Sequence, residues 1–168
     1  MRYYFKEDLH LLYATGALYD SNDNPVYSYE NETLLFPRIA VRRYDEEIGY
    51  VKKNFTLFLR QYDIVLGDQL IDSLQQRFRL FTPELELENL GWRIEGDFLA
   101  LEYQIYDENN NLIAEVSQEL FHLTKHYYVE IYDESQEELL ILLVIAINQF
   151  DKDLTAANSA AAHSSSHN

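Results

Sequence analysis

The chain carries Leu139-Leu-Ile-Leu-Leu-Val-Ile-Ala-Ile147, nine consecutive apolar residues. A segment without a polar position has no face to give to water, so whatever structure it adopts must be enclosed on all sides. It is too short to span a bilayer as a helix, which needs about 20 such residues, so the enclosure must come from the rest of the chain. Ser135-Gln-Glu-Glu138, just before the run, is a capping-box match: a serine followed three residues later by glutamate, with acidic residues in the first turn where the helix dipole favours them. Together these predict a helix over 135–150, buried all round. Composition alone also permits a buried strand, because Ile and Val are favoured there; the cap and the length select the helix.

The remainder reads as short strands. Segments rich in Tyr, Phe, Ile, Val and Leu alternate with polar residues and are punctuated by Asp20-Ser-Asn-Asp-Asn24, Asp45-Glu-Glu-Ile-Gly49, Gly67-Asp68, Asp107-Glu-Asn-Asn-Asn111 and Asp133-Glu-Ser-Gln136. With only five glycines, Asn and Asp must supply most left-handed turn positions. The turn-plus-strand unit recurs: Val26, Ile48 and Ile71 are separated by 22 and 23 positions, Phe36, Phe58 and Phe81 step likewise, and Asn111-Leu-Ile-Ala-Glu-Val116 with Leu123 is a later copy. Each unit is a hairpin followed by a bend. Chained hairpins form an antiparallel meander whose units must share a core. A meander closed into a barrel loses its exposed edges, and beyond about eight strands side chains no longer fill the interior. A wholly apolar helix is a natural filling, as in closed β-cans with a central helix.

At 168 residues the chain has the length of one domain. Its 13 basic and 29 acidic residues give a net charge of −16, while 47% apolar residues suffice for folding. Such charge repels phosphate backbones and anionic membrane surfaces, so no nucleic-acid partner is expected and peripheral membrane contact is disfavoured. Cysteine is absent, which excludes disulfides, thiolate metal sites and a cysteine nucleophile. The first residues turn acidic at Glu7-Asp8 before any signal-like apolar run develops, so a cytoplasmic location is expected. Residues 154–168 contain no charged residue and consist mostly of Ala, Ser, Asn and His, which predicts a disordered low-complexity tail after a single domain over 1–153.

A family resemblance rests on Ile94-Glu-Gly-Asp-Phe98, Glu102-Tyr103 with Ile105, Ala114-Glu-Val-Ser117, Tyr128-Val-Glu-Ile131 and Ile145-Ala-Ile-Asn-Gln149, taken in that order and spacing. In these the chain resembles bacterial-type members of the LURP-one-related family, which is grouped with tubby C-terminal and phospholipid scramblase domains. The resemblance extends over about residues 1–151. It implies a mainly β fold: a closed antiparallel barrel of about twelve strands around one hydrophobic C-terminal helix. Tubby-like relatives bind phosphoinositide headgroups through basic surface side chains, so the resemblance also implies a lipid headgroup or another anion as ligand. The chain departs from the family pattern at Gln118-Glu119, where lysine commonly follows the serine, and at Asn148, a commonly acidic position.

The only concentrated positive charge is the hairpin 38–55, where Arg38, Arg42, Arg43, Lys52 and Lys53 outnumber Asp45, Glu46 and Glu47. If the turn spans Asp45–Gly49, Arg42 and Lys52 face each other across the strands, a like-charge pair that an anion between them would relieve. These five cations are the expected anion site. The competing reading is a solvated face whose cations pair with neighbouring carboxylates. Asp20, Asn22 and Asn24, and again Asp107, Asn109 and Asn111, open like calcium loops. The required glycine and glutamate are replaced by Pro25 and Asn31 in the first and by Leu112 and Gln118 in the second. His122 and His126, in a bend, and His163 and His167, in the tail, lack the fixed geometry of a metal site. No Ser-His-Asp order, phosphate-cradling loop or dinucleotide fingerprint is present. The expectation is a non-enzymatic binding or interaction module without metal or cofactor. A hydrolase-like enzyme with an acidic active site and a protein-interaction scaffold are the alternatives.

Overall fold

The structure, a computed structural model, describes residues 1–5, 15–33, 37–55, 60–79, 82–87, 89–97, 99–121 and 124–164. Twelve strands follow one another: β1 Arg2–Phe5, β2 Thr15–Tyr19, β3 Pro25–Asn31, β4 Arg38–Arg43, β5 Glu46–Phe55, β6 Arg60–Leu66, β7 Gln69–Arg79, β8 Thr82–Leu87, β9 Arg93–Asp97, β10 Glu102–Tyr106, β11 Leu112–Phe121 and β12 Thr124–Ile131. A 3-10 turn, Glu134–Gln136, leads into the single helix α1, Glu137–Ser164. Each strand pairs antiparallel with its neighbours in sequence, and β1 pairs with β12 to close the barrel.

Closure solves two problems at once. It pairs the edges of the first and last strands, and it encloses α1. Leu140 to Val144, Ala146 and Ile147 are fully buried. The wall supplies the other half of the core through alternate residues, such as Tyr3 and Phe5 of β1, Ile39 and Val41 of β4, Ile64 of β6, Tyr103 and Ile105 of β10, and Val129 and Ile131 of β12. Strands such as β1 and β10 carry the two-residue alternation of a sheet wetted on one side, while β4 has Ile39, Ala40 and Val41 all buried.

The 22- to 23-residue spacing has a structural counterpart. Val26, Ile48 and Ile71 lie near the starts of β3, β5 and β7, and the later copy opens β11. Between these strands and their predecessors, or within the hairpins they form, the register shifts after Leu18, Val41, Ile64 and Ile105. The first three are 23 positions apart. These bulges sit beside tight turns whose left-handed residues are Asp23, Tyr44, Gly67 and Asn110. Among the described residues Asn and Asp take only two of the left-handed positions, Asp23 and Asn110; Tyr44, Leu101 and three glycines take the others, so the expectation that Asn and Asp supply most of them is corrected. Gly49 is required for a different reason: a Cβ there would lie 2.1 Å from the carbonyl oxygen of Val65 on β6. Phe36, Phe58, Phe81 and Leu123, the other markers of the repeat, lie outside the described residues.

Two local expectations are corrected. Asp133, not Ser135, caps the helical segment: its Oδ1 accepts from the Ser135 backbone N–H at 3.0 Å and from Ser135 Oγ at 2.6 Å. The shorter reach from Asp133 starts a 3-10 turn, which delays α1 to Glu137. At the other end α1 runs on past Phe150, the expected end of the helix, to Ser164. No helix among the described residues is long and apolar enough to cross a membrane.

Candidate functional site

The barrel has two rims. α1 begins at the cap rim, ringed by the tight turns, and leaves through the exit rim. Polar groups on the helix meet the wall at each.

At the cap rim Glu137 is 6% exposed, and its Oε1 takes two hydrogen bonds and one ion pair. Tyr3 Oη donates at 2.6 Å, Tyr27 Oη at 2.5 Å, and Arg43 Nη2 lies at 3.5 Å. Tyr3 and Tyr27 pack edge to face with ring centres 5.5 Å apart. Burial pushes both phenols well above their ordinary value, and the hydrogen bond to the Glu137 carboxylate pushes them further. Arg43 also reaches Glu138 at 3.4 Å. A cavity of about 170 Å³ adjoins this cluster. The cluster ties the start of the helix to β1, β3 and β4 of the wall.

At the exit rim, Lys53 and Tyr62 both donate to Asp153 Oδ2, and Gln149 Nε2 donates to Oδ1 at 3.4 Å. Beside this anchor the helix and wall part to leave a cleft of about 380 Å³. Its helix side is Asn148, Asp151, Lys152 and Thr155, a single face by the i, i+3, i+4, i+7 rule. Its wall side is Tyr127 from β12 with Leu99 and Leu101 from the β9–β10 connection. Leu101 is only 8% exposed and holds φ +57°, a left-handed conformation that costs a non-glycine residue about 1–2 kcal/mol. The strain is spent on turning an apolar side chain inward at the cleft.

Three polar groups of the cleft are unusual. Asn148 Oδ1 is fully buried and finds no donor among the described residues. Burial raises the Asp151 carboxyl above its ordinary value, with the Asp97 charge adding to the effect and Lys152 opposing it. Burial lowers the Lys152 ammonium, opposed by Asp151. Displaced titrations in a concave site with a few polar groups are among the marks of a ligand pocket.

The five cations of the 38–55 hairpin do not form one site. The turn is Tyr44-Asp45, and the bulge after Val41 puts Arg42 opposite Glu47 and Arg38 opposite Lys52, correcting the expected Arg42–Lys52 pairing. Arg38 and Arg42 lie on the outer wall. Arg38 pairs with Glu32 and, at 2.6 Å, with Glu47, its guanidinium 3.9 Å from the Tyr50 ring centre. Arg42 lies 3.3 Å from Glu32 and 3.8 Å from Glu30. Arg43 turns inward to the cap rim and Lys53 inward to the exit rim. Lys52 is exposed, in register with Asp63 of β6.

The Asx turns are self-satisfied. Asp20 Oδ1 accepts from the N–H groups of Asn22 at 2.8 Å and Asn24 at 2.9 Å, and Asp107 Oδ1 accepts from Asn109 and Asn111, both at 2.8 Å. These bonds hold both carboxyls below their ordinary value. Among the described residues no group of three or more His, Asp and Glu is placed to hold a metal ion. His122 and His167, and the side chains of His126 and His163, lie outside what is described.

Asn148 stood out in the sequence as a departure, but the cleft as a whole did not. Its signal was the face 148, 151, 152, 155, visible only if the helix is carried beyond Phe150. The model of the LURP-one-related family matches residues 2–148. No curated protein and no solved structure matches the chain.

Proposed function

The chain belongs to the LURP-one-related family, and from that premise we propose that it is a non-enzymatic binding module that takes a small lipid-like ligand in the exit-rim cleft. The observation that carries this reading is the cleft itself, where the apolar side chains of Leu99, Leu101 and Tyr127 face the polar helix stripe of Asn148, Asp151, Lys152 and Thr155. Its volume of about 380 Å³ lies within the range of small-molecule sites. The arrangement is amphipathic, with Leu99, Leu101 and Tyr127 for an apolar body and Asn148, Asp151 and Lys152 for a polar end.

The hydrolase alternative gains little support here. General acid–base chemistry calls for a second positioned group within hydrogen-bond reach of the reacting proton. Asp151 is the only carboxylate lining the cleft among the described residues, and Glu137 lies at the other rim. An anion held by the hairpin cations would compete with carboxylates already paired to Arg38, Arg42, Arg43 and Lys53.

The test is equilibrium binding of a fluorescent long-chain fatty acid to the purified protein. Saturation near one ligand per chain, weakened at least tenfold by Leu99→Asp, is the expected result. Leu99 is 45% exposed, so this variant should fold normally. Absence of binding, or binding indifferent to Leu99→Asp, would refute the cleft as the site.

A further inference from the structure

Resting on the reading of the exit-rim cleft as a lipid site, we infer that its ligand is a single-chain lipid ending in a carboxylate, which the ammonium of Lys152 holds. The inference starts from the one cation in the lining. Lys152 is half-buried and, among the described residues, makes no hydrogen bond and no ion pair. It also borders a smaller gap with Tyr29, Ile39 and Ile145, so apolar groups flank it on two sides. Its ammonium, unlike the sealed Asn148 oxygen, is open to water. A lysine stem laid along apolar surface with a wet head is an ordinary arrangement. What sets this one apart is a head without a counter-ion, in a chain where 29 acidic residues face 13 basic ones.

The nearby carboxylates have other partners. Asp151 precedes Lys152 in α1, and consecutive helix residues do not face each other; the Thr155 hydroxyl donates to the Asp151 carboxylate from one turn on. Asp97 Oδ1 accepts from the backbone N–H groups of Leu99 at 3.1 Å and Ala100 at 3.0 Å. Asp153 takes Lys53 and Tyr62. Burial therefore disfavours the charge on Lys152 by more than Asp151 restores. An anion entering the cleft supplies the missing counter-charge through a charge-assisted hydrogen bond.

The same carboxylates limit how much charge can enter. Asp97 and Asp151 are close enough to act on each other. A phosphate monoester, which carries nearly two negative charges at neutral pH, would have one of them matched by Lys152 and the other left facing these two carboxylates, the unfavourable case for a charge leaving water. A carboxylate brings one charge to one cation. Size sets the tail: a cleft of about 380 Å³ is at the small end for ligand sites and suits one acyl chain rather than two, laid along Leu99, Leu101 and Tyr127.

The experiment is calorimetry on the full chain at neutral pH with three probes of one chain length: a medium-chain fatty acid, the corresponding alcohol and the corresponding alkyl phosphate. The acid is expected to bind about tenfold tighter than the alcohol, and tighter than the phosphate. Lys152→Met keeps the stem and removes the charge, so it should bring the acid down to the level of the alcohol and leave the alcohol within about twofold; a residue that merely held the fold would weaken both. Lysine-labelled NMR of the wild type reads the same contact without a substitution: Lys152 should shift with the acid and not with the alcohol. An acid no tighter than the alcohol, a tighter phosphate, a preference that survives Lys152→Met or an unshifted Lys152 would each overturn the inference while leaving the lipid reading intact. Failure of all three probes, together with failure of the fluorescent fatty acid, would overturn the lipid reading itself.

Discussion

Replacing Glu137 with leucine would test whether the cap-rim cluster seats the helix. Leucine fills much of the same volume but offers no acceptor to the Tyr3 and Tyr27 hydroxyls, which donate at 2.6 and 2.5 Å. Each buried donor left unmade costs about 1–3 kcal/mol. Arg43 is 36% exposed and can rehydrate, so its ion pair adds only a few tenths of that. The adjoining cavity of about 170 Å³, lined mostly by polar groups and by Glu137 itself, leaves room for local rearrangement around the lost carboxylate. The total therefore belongs near the low end, about 2–4 kcal/mol. For a chain of this length that lowers Tm by roughly 10 °C.

Glu137→Gln keeps an oxygen where both tyrosines donate and loses only the charge assistance, so it should cost about 1 kcal/mol. In a Tyr3→Phe, Tyr27→Phe background the hydroxyls are gone, and Glu137→Leu should then cost about 1–3 kcal/mol less than in the wild type, a coupling measurable by a mutant cycle. Urea unfolding followed by circular dichroism and by Trp92, the only tryptophan, gives these differences. If Glu137→Leu falls within about 0.5 kcal/mol of wild type, or if the cycle is additive, the two tyrosine hydroxyls do not depend on Glu137 and the argument fails.

Three further outcomes follow from the packing. Val144→Asp puts a carboxylate at a fully buried position of α1 and should abolish folding, since the cost of an unpaired buried charge rivals a total stability of about 5–15 kcal/mol; a soluble variant with native near-ultraviolet dichroism would show that the helix is not central. Gly49→Ala should destabilise by about 2 kcal/mol or more, because its Cβ meets the Val65 carbonyl at 2.1 Å and backbone must shift; an unchanged urea midpoint would contradict the close β5–β6 approach. Tyr3, Tyr27, Tyr29 and Tyr103 are all raised by burial, Tyr29 to about 12. Each holds its proton more tightly folded than unfolded, so this contribution is whole below about pH 10, the unfolded value, and is lost as pH climbs through the folded ones. Tm should fall steeply above pH 10; a flat profile up to about pH 11.5 would mean that phenolates form without unfolding.

The sequence by itself determined the architecture. An apolar run without a wet face demanded complete enclosure, and a strand-turn period near 23 supplied enough antiparallel wall to provide it; both are local patterns that burial and chain geometry convert directly into a fold. Tertiary structure alone decided the sites. The five hairpin cations are neighbours in sequence, yet strand alternation and one bulge after Val41 send Arg38 and Arg42 outward and Arg43 and Lys53 to opposite rims. Tyr3, Tyr27, Arg43 and Glu137 converge on one oxygen from positions up to 134 residues apart, which no spacing rule could show. The cleft exists only because α1 continues beyond its apolar run and carries Asn148, Asp151 and Lys152 past the wall. Whether a polar residue on that face meets water, a partner or an empty acceptor position depends on what the closed barrel places opposite it.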